Sequence, residues 1–368
     1  MKKYSIIKYI LFFLPFIIAI CIELFVLPID YFTFRAWETL SARRSFGILK
    51  GPFYPDIVIT MTEMGGDLDS QTKCAVKKDV IWITDQYGYR KANTSSKRFP
   101  VVIVGDSNLA GGSLTQDDTL ANVLEKRLDR GVYPLAPESL KTIFEHGLLK
   151  QFPPDIIILE SIERNILTCT LKMSKERDFG KLPMWNKILL KVQLTRTIQS
   201  IAITFDRIFK ANMLNYLRAR INKTALPDIK GSGTAQCPIL FLQGAAANND
   251  ISIERINAFA LDIKNASDFF TSKGIRFIFL PIPNKENIHH QYLGTKKPVF
   301  LENLIKKLNE IGVEVVDTQK AFDHMTAKTS SSLYQRDDTH WNAQGVKVAA
   351  DLLEDLIIKK PPRLGREN

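Results

Sequence analysis

Hydrophobic positions along the chain fall into patterns that assign most of its elements. An almost unbroken apolar run begins at Ile10-Leu11-Phe12-Phe13-Leu14, reaches Ile22 and continues past Glu23 to Leu27. It is long enough to cross a bilayer as a helix. Alternation around Trp82 predicts a strand, with Gln86-Tyr87-Gly88 as the turn behind it. Two short, fully apolar runs, Val101–Val104 and Ile156–Leu159, read differently, and the stretch from Gly274 to Pro281 reads as a further strand. Apolar residues on both faces are what a strand inside a parallel sheet requires. Helical spacing appears at Leu120, Val123, Leu124 and Leu128, again over a long amphipathic stretch from Ile253 to Ser272, and finally from Ala343 to Ile358. Gly312-Val313-Glu314-Val315-Val316-Asp317 reads as an edge strand.

Strands that alternate with helices predict an α/β fold, with a largely parallel sheet covered by helices on both faces. In such sheets ligands bind at the carboxyl ends of the strands. Residues 166–235 fit that alternation poorly. They hold Met173, Met184, Trp185, the basic-apolar Lys187-Ile188-Leu189-Leu190-Lys191 and then Lys230-Gly231-Ser232-Gly233. We read them as a mainly helical insertion serving as a lid, a partner surface or an added packing layer.

Composition changes this picture little, with 45% hydrophobic and 24% charged residues in 368, ordinary for a globular chain. The net charge of +11 favours acidic partners, but the basic residues are scattered and form no nucleic-acid motif, so nucleic acid is set aside. Lys2, Lys3 and Lys8 precede the apolar run; Arg35, Arg43 and Arg44 follow it. No small-x-small cleavage site follows, and Ile20 before Cys21 is too bulky for lipoprotein processing. The expectation is an uncleaved signal anchor with a cytoplasmic N-terminus: a single-pass bacterial inner-membrane protein whose soluble part faces the periplasm or cell exterior. Cys74, Cys169 and Cys237 of the soluble part allow one disulfide or three free thiols.

Two segments more than two hundred residues apart carry the chemistry. Val101–Val104 stops at Gly105-Asp106-Ser107-Asn108, delivering a serine to the sheet's carboxyl edge and into the Gly111-Gly112 turn. A serine hydroxyl is a poor nucleophile without a base in hydrogen-bond reach. Tyr334-Gln335-Arg336-Asp337-Asp338-Thr339-His340-Trp341-Asn342 supplies a histidine preceded by two carboxylates, either of which has the spacing to orient the imidazole. Adjacent His289 and His290 point apart and lack an acidic cluster, so they read as a surface loop and no metal site is expected.

Gly105-Asp106-Ser107 together with Asp337-Asp338-Thr339-His340-Trp341 resembles the SGNH hydrolase superfamily, and the Asp-Thr-His-Trp string resembles its alginate O-acetyltransferase (AlgJ/AlgX-like) branch. Glu160-Ser161-Ile162-Glu163-Arg164 is similar to that branch's Glu-Arg ending, and Pro281-Ile282-Pro283-Asn284-Lys285-Glu286 to its Pro-x-Lys-Glu loop. The resemblance implies a three-layer α/β/α, flavodoxin-like SGNH domain. It makes Ser107 the nucleophile and His340 the base. Asp338 is the acid on the Asp-Thr-His pattern and Asp337 on the commoner Asp-x-x-His one. Oxyanion donors beside the Ser107 amide are Asn108 and Asn165; Pro134-Leu135-Ala136-Pro137 stands where the family's glycine block belongs. Glu163, Arg164 and Lys285 bind substrate or brace the site. In the alginate enzymes the Asp-Thr-His segment precedes the serine, whereas here it follows.

On this reading, residues 1–29 are the membrane helix, 30–95 a membrane-proximal connection, 96–358 the catalytic domain with its insertion at 166–235, and 359–368 a tail. The implied function is acyl transfer, without a cofactor, to a polysaccharide acceptor from an integral-membrane acyl-donor protein. The alternatives are an esterase with the same triad and a non-catalytic glycan-assembly protein.

Overall fold

The computed structural model describes residues 2–43, 47–69, 74–92, 96–169, 171, 178–221, 229–232, 237–242, 250–329 and 332–359. Met173, Gly233 and the tail beyond Lys359 lie outside the described residues. Strands β1 (Val58–Met64) and β2 (Lys77–Ile83) form an antiparallel hairpin. Strands β3 (Val101–Val104), β4 (Val132–Leu135), β5 (Ile156–Ile162), β6 (Ile229–Ser232), β7 (Ile239–Leu242) and β8 (Arg276–Ile282) follow. A parallel sheet runs in the order β4-β3-β5-β8, and β6 pairs antiparallel with β7.

Alternation along the apolar strands sends side chains to two separate cores, which makes the domain three layers deep. Val101, Ile103, Ile156, Ile158, Ile278 and Leu280 pack with Leu120, Leu124, Val346, Ala349 and Leu353, from the Leu120–Leu128 and Ala343–Lys359 helices. Val102, Val104, Ile157, Leu159, Phe277 and Phe279 face the other way, onto Phe259, Ile263 and Phe270 of the Ile253–Ser272 helix and Leu301 and Leu304 of the Phe300–Glu310 helix. All seven residues of β5 are buried. Each large aliphatic side chain so placed contributes about 1.5–3 kcal/mol. Pro134 sits in β4, an edge strand, where its missing N–H costs the ladder nothing.

The segment expected to be an edge strand at 312–317 makes a single parallel bridge, Val315 to Phe279. Phe279 N donates to Glu314 O at 2.8 Å and Val316 N to Phe279 O at 3.0 Å. The chain then turns into the Thr318–Thr329 helix before a ladder can grow.

The described residues between 30 and 92 pack onto the domain that holds the parallel sheet. Trp37, Phe53 and Trp82 pack edge to face, and Val80 and Trp82 join the core beneath the Ala343–Lys359 helix. Residues 184–221 form three helices, Met184–Gln193, Arg196–Lys210 and Asn212–Ile221. Lys230, Gly231 and Ser232 are part of β6. The first helix, Lys2–Phe25, includes a 19-residue stretch, Ile7–Phe25, long and apolar enough to cross a membrane. At 1.5 Å per residue that stretch measures about 28 Å, close to a bilayer's hydrocarbon thickness.

Sheet order positions the site. From β3 the chain moves to one side to form β4, then crosses back to the other side for β5 and β8. The order reverses beside β3, and the loops leaving β3, β5 and β8 at the carboxyl edge carry Ser107, Glu163-Arg164 and Lys285.

Candidate active site

Ser107 opens a one-turn helix, Ser107–Ala110, directly after β3. The preceding turn is packed too tightly for any residue but glycine at 105: a Cβ there would lie 2.2 Å from Glu160 Oε2. That same oxygen accepts from Asp106 N at 2.9 Å. Glu160 is fully buried; burial first, and then the Asp106 charge, push its carboxyl well above the usual range. Asp106 ties the turn to the next strand by accepting from Asn108 N and Ile162 N, both at 2.9 Å.

The loop of residues 334–341 returns to this edge. His340 Nε2 stands 2.8 Å from Ser107 Oγ, and His340 Nδ1 pairs with Asp338 Oδ1. Asp338 Oδ2 accepts from Ser113 Oγ at 2.7 Å and from Asp67 N at 3.1 Å. Burial opposes charge on Asp338, yet the facing imidazole and the hydrogen bonds hold its carboxyl well below the ordinary range. Burial likewise opposes the imidazolium, but Asp338 outweighs it and raises His340 above 6.5. A buried base linked to a carboxylate on one nitrogen and a serine hydroxyl on the other is the geometry of an activated nucleophile. Gly112 makes room for it, since a Cβ there would meet the imidazole at 3.1 Å.

Asp337, the alternative acid, faces away. Its carboxylate accepts from Gly66 N at 2.9 Å and Val76 N at 2.7 Å, and pairs with Lys78 Nζ at 3.0 Å. The chain turns and bends through residues 336–340, and here only Asp338 points at the imidazole.

Of the two asparagines expected at the oxyanion site, Asn108 spends its side chain elsewhere. Asn108 is fully buried: its Nδ2 donates to Asp106 Oδ1 at 3.2 Å, its Oδ1 accepts from Trp341 N at 3.4 Å, and its carbonyl accepts from Trp341 Nε1 at 3.1 Å. It clamps the serine turn to the histidine loop. Asn165 lies in the Glu163–Ile166 helix, where its carbonyl accepts from Thr168. No hydrogen bond joins its side chain to Ser107 or His340 among the described residues.

Glu163 and Lys285 brace. Glu163 accepts from Asn284 N at 2.9 Å and from Asn287 Nδ2, and burial raises it to about 7. Lys285 is fully buried, and its ammonium donates to the carbonyls of Gln335, Arg336 and Asp338 at 2.6–3.1 Å. Burial lowers it to about 8. Arg164 donates through Nη2 to Thr339 Oγ1 at 3.3 Å; its buried Nη1 has no partner among the described residues. His289 is not on the surface: it is buried, with Nε2 3.3 Å from Ser332 Oγ, and burial lowers it to about 4.

Asp67 completes the site without a sequence expectation behind it. Its carboxylate accepts from Thr339 N at 2.7 Å and Thr339 Oγ1 at 2.5 Å, and Oδ2 lies 3.7 Å from His340 Nδ1. Gly66 before it is required by space, since a Cβ would sit 2.3 Å from Asp337 O. Asp67, Asp338 and His340 bring possible ligand atoms within 4.8 Å of one another. Those oxygens accept from Ser113, Thr339 and the imidazole. The Cys74–Cys237 disulfide lies beside the same loop: Arg336 Nη2 donates to Cys74 O at 2.7 Å, and Leu240 of β7 bonds Arg336 O at 3.0 Å.

Residues 240–368 match the family model described as SGNH hydrolase-like domain, acetyltransferase AlgX. Asp338 and His340 lie inside that segment and Ser107 outside it. The protein named Probable alginate O-acetylase AlgJ from Pseudomonas syringae pv. tomato is 25% identical over 108 residues, 28% of this chain and 27% of that one. The match thus spans about a quarter of that relative's length. Among solved structures, a lipolytic protein of the G-D-S-L family from Desulfitobacterium hafniense is similar at 11% identity and a TM-score of 0.35, over 70% of this chain and 98% of the other. A variant of an acetyl-xylooligosaccharide esterase from Geobacillus stearothermophilus is similar at 12% identity and a TM-score of 0.35, over 72% and 96%. The resemblance drawn from the sequence motifs is thus supported: residues 240–368 match an SGNH hydrolase-like domain, and the chain is similar to the alginate O-acetyltransferase (AlgJ/AlgX-like) branch.

Proposed function

We propose that the chain is a membrane-anchored, extracytoplasmic O-acyltransferase that moves an acetyl group onto a hydroxyl of a cell-surface or exported polysaccharide. The observation that carries this reading is the 2.8 Å contact between Ser107 Oγ and His340 Nε2, with Asp338 on the far nitrogen. His340 takes the Ser107 proton as Oγ attacks the acyl carbonyl. The developing oxyanion is met by the Ser107 N–H, and His340 returns the proton to the departing group, leaving acetyl-Ser107. In the second half His340 takes the proton of the sugar hydroxyl, whose oxygen attacks the acyl carbon. Collapse releases the sugar ester and gives the proton back to Ser107.

The acetyl group, rather than a longer acyl chain, is supported by the matched family's description. The stretch Ile7–Phe25, with Lys2 and Lys3 before it and Lys8 at its start, supports a periplasmic or exterior catalytic face. The Cys74–Cys237 disulfide supports the same side, since such bonds persist in oxidising compartments. An integral-membrane protein is the acyl source we assign.

The test supplies the full chain in detergent with an activated acetyl ester, with and without an oligosaccharide acceptor, beside Ser107→Ala. Acetyl transfer to sugar that disappears in the variant supports the proposal. Acetate release indifferent to sugar makes the protein an esterase. Equal behaviour of both proteins, with no fluorophosphonate labelling of Ser107, leaves the non-catalytic glycan-assembly reading.

A further inference from the structure

The Arg196–Lys210 helix is built inside out for a soluble domain. Its buried stripe is polar or small: Gln199, Ala202 and Asp206. Asp206 accepts from Tyr54 Oη at 2.7 Å and Arg43 N at 3.2 Å, and Gln199 donates to Gln86 O at 3.0 Å. One turn on, Lys210 donates to the carbonyls of Glu38, Thr39 and Ser41. The adjacent stripe, about a quarter-turn round the helix, carries Ile201 (53% exposed), Phe205 (56%) and Phe209 (54%). Spacings of four put these on one face. A helix held to its domain by these polar contacts together with Ala202 and Ile203, and with its aromatic residues outward, is made for a second apolar phase.

The neighbouring helices expose apolar side chains as well. Met184–Gln193 has no buried residue and exposes Trp185 (80%) and Leu189; Asn212–Ile221 exposes Leu217. Between residues 184 and 221 there are seven lysines and arginines (Lys187, Lys191, Arg196, Arg207, Lys210, Arg218, Arg220) against one acid, the buried Asp206. The segment is also continuous with the apolar N-terminal helix. Arg207 donates to Glu23 O at 2.7 Å and Leu24 O at 3.3 Å, capping that helix where it would leave the bilayer. Phe34 stacks on Tyr216 at 5.1 Å just beyond.

From these relations we infer that residues 184–221 form an interfacial platform that lies in the headgroup region of an anionic bilayer. Its aromatic and aliphatic stripe enters the acyl boundary while the exposed Lys187, Lys191, Arg196, Arg218 and Arg220 meet lipid phosphates. The platform fixes the catalytic domain's tilt on the membrane rather than leaving it on a swivelling tether. The inference rests on the reading of Ile7–Phe25 as a membrane span.

Tryptophan supplies the test, because the span has none, Trp82 and Trp341 are fully buried, and the half-buried Trp37 cancels in a difference signal taken against Trp185→Phe. The full chain is reconstituted into phosphatidylcholine/phosphatidylglycerol vesicles carrying bromine on their acyl chains. Flotation checks insertion, and the Trp185 signal is the difference between wild type and Trp185→Phe. We expect bromine to quench that signal at least about twofold, and a Phe205→Trp probe in the Trp185→Phe background to be quenched as well. Flotation without quenching at either probe overturns the platform while leaving the span. A blue-shifted but unquenched signal that grows with protein density assigns the face to a second copy and also overturns it. A chain that does not float refutes the span, and the platform with it.

Discussion

Asp338 receives the Ser113 hydroxyl on one carboxylate oxygen at 2.7 Å and His340 Nδ1 on the other. Asp337, one residue earlier, is spent on Lys78 and two backbone amides of the hairpin loop. The two acids therefore predict different phenotypes. Asp338→Asn no longer holds the imidazole in the productive tautomer, and acylation of Ser107 should fall by about ten-thousandfold. Asp337→Asn should keep the acylation rate within about tenfold but lose about 1–3 kcal/mol of stability, because it weakens buried hydrogen bonds. Burst kinetics with a chromogenic acetyl ester and thermal melts separate the two. A reversed pattern would transfer the acid's role to Asp337.

The same pair sets the pH dependence. The Asp338 carboxylate, prevailing over burial, raises the folded His340 pKa above 6.5, and only neutral imidazole accepts the Ser107 proton. Acylation should rise with pH through a midpoint above 6.5, and Asp338→Asn should move that midpoint down. The sign for stability is opposite. A raised imidazolium pKa contributes stability that is complete below 6.5 and lost as pH rises through the folded value. The depressed Asp338 contributes above 3.8 and loses its share as pH falls through its folded value. The pair is at full strength between 3.8 and 6.5, so activity climbs where this stabilisation fades. A rate profile flat across that region, or a midpoint below 6.5, contradicts the relay.

The layers and the serine–histidine partnership were legible because each rests on a local signal. Fully apolar runs mark buried strands, and Ser107 and His340 stand in short motifs. The choice between Asp337 and Asp338 was not legible, since both spacings reach an imidazole and only the loop's path decides. Asp67 and Ser113 were invisible for a related reason. They belong to loops that meet Asp338 only after β1 and β2 pair and pack, and the local hint was a Gly65-Gly66-Asp67 turn after an alternating strand. Asn108 misled because an asparagine beside a nucleophile reads as a donor to substrate; Trp341, 233 residues away, takes its carbonyl and side-chain oxygen instead.

Arg90 lies outside every motif and is completely buried, with burial lowering it to about 9. Its guanidinium stacks over Trp82 at 3.7 Å and donates to the carbonyls of Ile81, Ala110, Gly111 and Leu114. It thereby holds the turn whose Gly112 accommodates His340. Arg90→Lys keeps charge but lacks the planar fork, so it cannot reach all four carbonyls. We expect a loss of about 2–4 kcal/mol and a slower acylation step, with the pH midpoint unchanged because Asp338 is untouched. Melts combined with the pH–rate profile test this. A shifted midpoint would show that Arg90 acts on His340 electrostatically.

The Cys74–Cys237 disulfide closes a loop of 163 residues and lies beside Arg336, three residues ahead of Thr339 in the histidine loop. Long loops gain most from such a link, typically about 2–5 kcal/mol. Reductant should therefore lower the melting midpoint of the wild type and leave Cys74→Ser/Cys237→Ser, already lower, unaffected. The free Cys169 gives a control: its thiol lies 3.2 Å from Ser161 Oγ, and burial raises its pKa to about 11, so it exchanges poorly. Because the link spans the hairpin loop and the strand beside Arg336, its loss should also reduce the acylation rate at temperatures well below the melt. A rate unchanged by reduction would confine the disulfide to global stability and separate it from the placement of His340.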